Sequence, residues 1–291
     1  MLDLLPSKHV CCPWLQGYLQ VRGTGYRRGR KGNPLPNIYR QWCDAKAQAC
    51  IVIEQDMIGN GKDCVVVDLS PLRVTNIQPA VQVCHDLAAA AGADPVTFRL
   101  KHLKDDRGSE CIQTCVKAAN WQTRPSPNKT AGAGDVVSGR GFAYVFYDNA
   151  RTYVSAVCEV EVNRKSGHVR ATRFVIGHDC GLVINPDGVK AQIEGGIIQT
   201  LSRTLIEEVK WDASRVTSVD WASYPILAFG AVPKIEITLI DRPDQPAWGA
   251  GEPICAVVPS ALANAIFDAT GARVRTAPYT AERVKAALAR S

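Results

Sequence analysis

Thr152-Tyr153-Val154-Ser155-Ala156-Val157-Cys158-Glu159-Val160-Glu161-Val162 reads as a β-strand, and its period decides the class of this chain. Val154, Ala156, Cys158, Val160 and Val162 fall on one side, with Glu159 and Glu161 on the other. That is the two-residue alternation of an extended segment with one face turned inward. Arg164-Lys165-Ser166-Gly167 supplies a hairpin turn, and Val169 to Ile176 returns as a second strand. Phe142 to Tyr147 precedes them as another, and Ile235, Ile237 and Leu239 alternate further on. Helical periods lie on both sides. Val189, Ile193, Ile197, Leu201 and Leu205 recur at helix spacing after a loop over residues 178–188. Leu262, Ile266 and Ala269 mark a further helix stopped by Gly271, and Thr280 caps a short final one. Strands and helices are interspersed, so the expected class is α+β, mixed sheets with packed helices.

Upstream, the period is helical. Val81, Cys84, Leu87, Ala88 and Ala91 share a face, and Gly92 follows as a stop. Asp94-Pro95 caps and opens a second helix through Phe98, Leu100 and Leu103. Ser109 is the expected cap of a third, carrying Ile112, Val116 and Ala119 on one face. The pattern divides the chain into an irregular N-terminal region (1–70), a helical segment (71–124), a Pro/Gly/Ser-rich linker (125–140) and a C-terminal domain (141–291). Within the first region only Val65-Val66-Val67 suggests a strand.

Composition narrows the functional classes. A length of 291 residues and a hydrophobic fraction of 46% allow a sizeable core. The net charge of +6 owes much to the cluster between Arg22 and Lys31, which reads as a solvated loop because no nucleic-acid fold motif accompanies it. The 11 cysteines include no C-x-x-C pair, so zinc-ribbon and thioredoxin-type sites lack their spacing. Cys111 and Cys115, one helical turn apart, are expected as buried apolar residues. Cys11-Cys12 has no companion pair to complete a metal site. Free thiols point to a reducing compartment. No apolar run at the N-terminus suits a signal peptide or a membrane span, so a cytoplasmic location is expected, with export on a partner as the variant.

Three segments share a chemical character. Asp179-Cys180-Gly181-Leu182-Val183-Ile184-Asn185-Pro186 joins a strand to a helix, and Gln192-Ile193-Glu194-Gly195-Gly196 lies early in that helix. Gly249-Ala250-Gly251-Glu252-Pro253 joins a second strand to a second helix. Strand-to-helix junctions expose backbone N–H groups that favour anions. Two glycines inside a helix cost about 1 kcal/mol each relative to Ala, which points either to tight packing or to a ligand at the backbone. Glu252 is either an ordinary solvated turn residue or a base reaching into a pocket. His85, His102, His168 and His178 have no zinc-site spacing; His178, beside Asp179, either hydrogen-bonds near the loop or is a structural histidine.

In order, these segments resemble the C-terminal part of the molybdopterin-binding large subunit of the xanthine dehydrogenase/aldehyde oxidase family, nearest its isoquinoline- and nicotinate-oxidising branch. Tyr224-Pro225-Ile226-Leu227 and the helix pair of Leu87–Pro95 and Phe98–Leu103 also match, and the resemblance runs from about Pro71 to the C-terminus. It implies the fold of the second molybdenum-cofactor-binding domain. It also implies hydroxylation of an N-heterocycle or aldehyde with oxygen from water. The implied cofactor is molybdenum–molybdopterin, the cytosine dinucleotide being one form. Electrons would leave through iron–sulfur clusters on a partner chain, a small 2Fe-2S subunit. Glu252 stands at the position of the family's base, where the chemistry calls for a dry, shaped pocket. Gln192 suits a donor to the pterin or phosphate groups, while Gly195, Gly249 and Gly251 would let the cofactor approach the backbone. Glu194 belongs to the same motif or pairs locally. No residue of this chain is implied as a metal ligand.

The family's earlier glycine-rich and Gly-Gln-Gly loops have no counterpart in residues 1–70, and Pro71-Leu72-Arg73 continues as Val74-Thr75-Asn76-Ile77-Gln78-Pro79 where the family carries an Arg and a Gly-Ala turn. The chain therefore holds part of a cofactor cage. A complementary large-subunit segment would complete it; the alternative is a non-catalytic remnant or interaction subunit.

Overall fold

The computed structural model describes residues 39–44, 49–54, 65–68, 77–130, 132, 134–149 and 151–291. The Arg22–Lys31 cluster, Cys11-Cys12 and the Pro71–Asn76 stretch lie outside the described residues. The chain divides into two compact units, residues 1–104 and 105–291.

In the first unit, β1 (Tyr39–Asp44), β2 (Ala49–Glu54) and β3 (Val65–Asp68) form an antiparallel sheet in that order. Tyr39 pairs with Glu54, and Glu54 with Val65. β3 meets the Val65–Val67 expectation, whereas β1 and β2 fall where the sequence carries no clear period. Two helices follow, α1 (Ile77–Ala90) and α2 (Pro95–His102). Gly92 ends the first with φ at 62°, and the Asp94 carboxylate accepts from the Val96 and Thr97 amides at 3.1 and 2.8 Å.

The second unit is a four-stranded sheet between helices. Its strands are β4 (Val136–Phe146), β5 (Tyr153–Asn163), β6 (Val169–Asp179) and β7 (Lys234–Leu239), adjacent in that order. The first three pair antiparallel, and β7 joins β6 in parallel. The helices are α3 (Asp106–Ala118), α4 (Pro186–Leu205), α5 (Gly251–Thr270) and α6 (Ala281–Leu288).

The alternation read in β5 is only half of its burial. Val154, Ala156, Cys158, Val160 and Val162 are buried, but so are Tyr153, Ser155 and Val157. Both faces are covered there. α5 packs across β4 and β5, and its Asn264 Nδ2 donates to the Phe142 carbonyl at 3.0 Å. On the other face, α3 brings Cys111 and Cys115 onto the Ser155–Gly177 region: Ser155 Oγ donates to the Cys111 carbonyl at 2.8 Å, and Cys111 Sγ to the Gly177 carbonyl at 3.3 Å. Glu159 and Glu161 lie beyond this cover and are only half-buried. As expected, both α3 cysteines are fully buried, and burial pushes the Cys115 thiol up to about 11. α5 can lie so low on the sheet because β4 offers glycine beneath it. A Cβ on Gly141 would stand 2.1 Å from the Ala261 carbonyl oxygen.

Several boundaries differ from the sequence reading; β4 starts at Val136, ahead of Phe142, and α4 at Pro186, inside the expected loop. α3 starts at Asp106 under the cap of Asp105, whose carboxylate accepts from the Arg107 and Gly108 amides; Ser109 lies inside the helix. β6 continues through His178 and Asp179, which the sequence pattern assigns to a loop. Gly251 and Glu252 are the first two residues of α5, not part of the preceding loop. α5 is also long and apolar enough to cross a membrane by composition, and 78% of that stretch is buried as the central helix of this unit.

Candidate functional site

The end of β6 is built on a charged cluster. Asp179 is buried and bound by Arg107 through Nε at 2.9 Å and Nη2 at 2.6 Å, by Arg242 Nε at 3.1 Å and by the Gly181 amide at 3.0 Å. Burial alone would raise this carboxyl; Arg107, the Gly181 amide and Arg242 outweigh it and hold it below its usual range. The bonded turn carries the chain into Asn185, whose side chain accepts from the Gly188 amide at 3.0 Å and caps α4, with Pro186 as its first residue. The 180–186 segment is therefore a scaffold that aims the N-terminal half of α4.

His178, next to Asp179, is fully buried. Neither ring nitrogen makes a hydrogen bond of ordinary geometry; the Ala250 backbone is the polar group that favours its protonated form. Burial dominates and lowers its pKa to about 4, so the ring is neutral. Of the two sequence readings, the structural histidine is the one found.

α4 and α5 pack against each other, and a glycine sets their closeness. A Cβ on Gly196 would stand 2.5 Å from Ile254 Cγ2 and 3.2 Å from the Gly251 carbonyl. This contact brings the 192–196 motif beside the 249–253 motif, two segments that sequence alone leaves unconnected. Gln192 Oε1 lies 2.9 Å from where a Cβ on Gly251 would be. Glu252, one residue on, is at the N-terminal turn of α5, where the helix dipole favours a carboxylate. Gln192, Glu194 and Glu252 are all exposed on this chain. The sequence expectation of a closed pocket around Glu252 is thus not met by this chain's own residues. Gly195 and Gly249 are exposed too, with no atom within 4 Å of where a Cβ would stand.

A largely apolar groove of about 370 Å³ adjoins Gln192, with Cys180, Leu182, Asn185, Val189 and Trp248 in its walls. Sequence reading missed one participant. Tyr147, at the end of β4, donates its hydroxyl to Glu252 Oε2 at 3.1 Å. No local signal announces a partner 105 residues away. Among the described residues no group of three or more His, Cys, Asp or Glu side chains could hold a metal ion.

Residues 80–233 match the family described as molybdopterin cofactor-binding domain, a span that includes Gln192 to Gly196 and ends before Gly249. A nicotinate dehydrogenase subunit of Pseudomonas putida is 46% identical over 209 residues, covering 70% of this chain and 18% of that protein. The beta subunit of isoquinoline 1-oxidoreductase from Brevundimonas diminuta is 36% identical over 193 residues, covering 66% and 24%. The chain thus spans about a fifth to a quarter of the length of these relatives. Among solved structures, the aldehyde oxidoreductase of Desulfovibrio desulfuricans superposes with a TM-score of 0.59 at 16% identity, over 72% of this chain and 40% of that one, which shows a shared α+β fold. With a family match over more than half its length, the chain belongs to the molybdopterin cofactor-binding domain family, consistent with a fragment of a xanthine dehydrogenase family member.

Proposed function

We propose that this chain forms the base-bearing wall of a molybdenum hydroxylase that oxidises an N-heterocycle or an aldehyde with oxygen from water. The observation that supports it is the packing of α4 on α5, which sets the exposed Gln192 amide against Gly251, one residue before the exposed Glu252. The residues present fit a molybdenum–molybdopterin group. Gln192 offers both a donor and an acceptor, and Gly195 and Gly249 leave open space at the backbone where a broad planar ligand could lie. When bound, the group would supply the redox centre and the activated water.

The chain's own part is narrower. Gln192 would hold and orient the pterin side. Glu252 would accept a proton from the attacking oxygen. Its position on the first turn of α5 fixes it relative to Gln192 through the Gly196 contact, so the proton acceptor and the cofactor clamp would move as one body. Glu194, also exposed on α4, is assigned to the same wall. Completion of the pocket falls to a complementary large-subunit segment. The exposed aromatics Trp211, Trp221 and Phe229 (73%, 76% and 95% accessible) support such a covering chain, because apolar surface of this kind marks interaction sites. We assign electron exit to iron–sulfur clusters on a small partner subunit.

The test is Glu252→Gln in the assembled enzyme, produced with its complementary segments. Turnover should fall by about 10²- to 10⁴-fold, the usual loss for a positioned base, while molybdenum and pterin content stay at wild-type levels. Wild-type turnover in that variant would remove Glu252 from the role.

A further inference from the structure

We infer that the tip of the β4–β5 hairpin is a clamp on the Glu252 turn and that Tyr147 is the residue that positions the Glu252 carboxylate. The inference rests on the reading of Glu252 as the proton acceptor and extends it to residues outside the α4–α5 wall.

Three contacts tie the two segments. The Tyr147 hydroxyl donates to Glu252 Oε2 at 3.1 Å. Thr152, fully buried, donates through Oγ1 to the Gly249 carbonyl at 2.9 Å. The Arg151 guanidinium lies over the Trp248 ring, 5.7 Å from its centroid. The hairpin side of the clamp is itself closed: the Tyr147 amide donates to the Thr152 carbonyl at 2.8 Å, and the Arg151 amide to the Tyr147 carbonyl at 3.2 Å. The turn between them bends through Asp148, whose φ of 55° is a left-handed conformation that Asp tolerates better than most residues. The segment from Trp248 through the first turn of α5 is thus held at its start, middle and end by the residues that turn β4 into β5.

The chemical consequence follows from the donor. A Glu side chain on an exposed helix turn samples several rotamers, and one phenolic hydrogen bond selects among them. Tyr147 carries the mark of the contact in its own chemistry. Its phenol is raised above the ordinary tyrosine range, first by burial and then by the hydrogen bond and the charge of Glu252.

Two measurements test this. In the 291-residue chain with ring-13C-labelled tyrosine, the Tyr147 resonance, assigned by its loss in Tyr147→Phe, should titrate above the ordinary tyrosine range. Glu252→Gln should move that titration downward; an unchanged titration would overturn the contact. In the assembled enzyme, Tyr147→Phe should lower kcat by about tenfold with KM unchanged, the worth of one hydrogen bond to a charged group. Combined with Glu252→Gln, it should add no further loss, since both changes remove the same interaction. A full additive loss in the double variant, or wild-type kcat in Tyr147→Phe, would overturn the positioning role. Failure of the underlying reading is distinguishable, because it would appear as wild-type turnover in Glu252→Gln alone, whatever the tyrosine titration does.

Discussion

Arg124 grips Asp268 with both terminal nitrogens, each 2.7 Å from a different carboxylate oxygen. Asp268 is 1% exposed, and it also receives the Ser126 hydroxyl at 2.5 Å and the Arg140 backbone amide at 3.0 Å. Four donors from three residues converge on one side chain near the end of α5. Asp268→Ala strands those donors, and removing one partner of a buried ion pair costs about 3–5 kcal/mol. Ser126→Ala, which removes one donor and leaves the chelate, should cost about 1 kcal/mol. Urea unfolding of the two variants checks the order; equal stabilities would refute it.

Gly141 and Gly249 predict opposite responses to the same substitution. At Gly141 a new methyl would stand 2.1 Å from the Ala261 oxygen and 2.2 Å from the Ala265 nitrogen, both backbone atoms of α5 that cannot swing aside. Gly141→Ala should therefore cost about 3 kcal/mol or more, at or beyond the upper range for overpacking. At Gly249 nothing lies within 4 Å, so Gly249→Ala should leave the melting temperature near wild type. Thermal unfolding of both proteins is the comparison, and a stable, soluble Gly141→Ala protein would contradict the close helix–sheet packing.

His178 makes stability depend on mild acid. Its pKa falls to about 4 in the folded chain, chiefly through burial, against about 6.5 in an unfolded one. The unfolded state binds more protons between these values. The fold is therefore at full strength above about pH 6.5 and loses up to about 3 kcal/mol as pH falls to about 4. Asp179 acts lower, since its depressed pKa keeps its contribution until pH drops below the usual carboxylate range. A neutral replacement, His178→Gln, should flatten the profile between about pH 6.5 and about pH 4.5, measured by denaturant midpoints. A wild-type slope in that variant would place the effect elsewhere.

The elements that are legible in sequence are those whose period is enforced by burial on one face. α4, the Thr280-capped α6 and the Glu159–Glu161 end of β5, which lies beyond its second cover, are of this kind. The failures have particular causes. Asp105 takes the cap from Ser109 because a carboxylate earlier in the chain satisfies two amides without moving the apolar stripe. His178 and Asp179 look like loop residues because a buried charge is tolerable only with Arg107 and Arg242 in place, and those lie 72 and 63 positions from Asp179. β1 and β2 escape notice because arginine, glutamine and cysteine interrupt their alternation. At the site, the residue types of the two motifs can be read, and the Gly196 contact that joins them cannot. Tyr147 is invisible for the same reason: its partner is set by the sheet and helix packing, not by neighbours in the chain.

α5 is a helix of 20 residues, about 30 Å from end to end, with Pro259 in its interior. Glu252 sits at its tip and Asp268 near its butt, where the Arg124 chelate moors it. A lever moored so far from its working end turns a slight tilt at the mooring into a larger displacement at the tip. Damage to Arg124, remote from Glu252, should therefore surface as a carboxylate that is slightly out of true, with the rest of the wall intact.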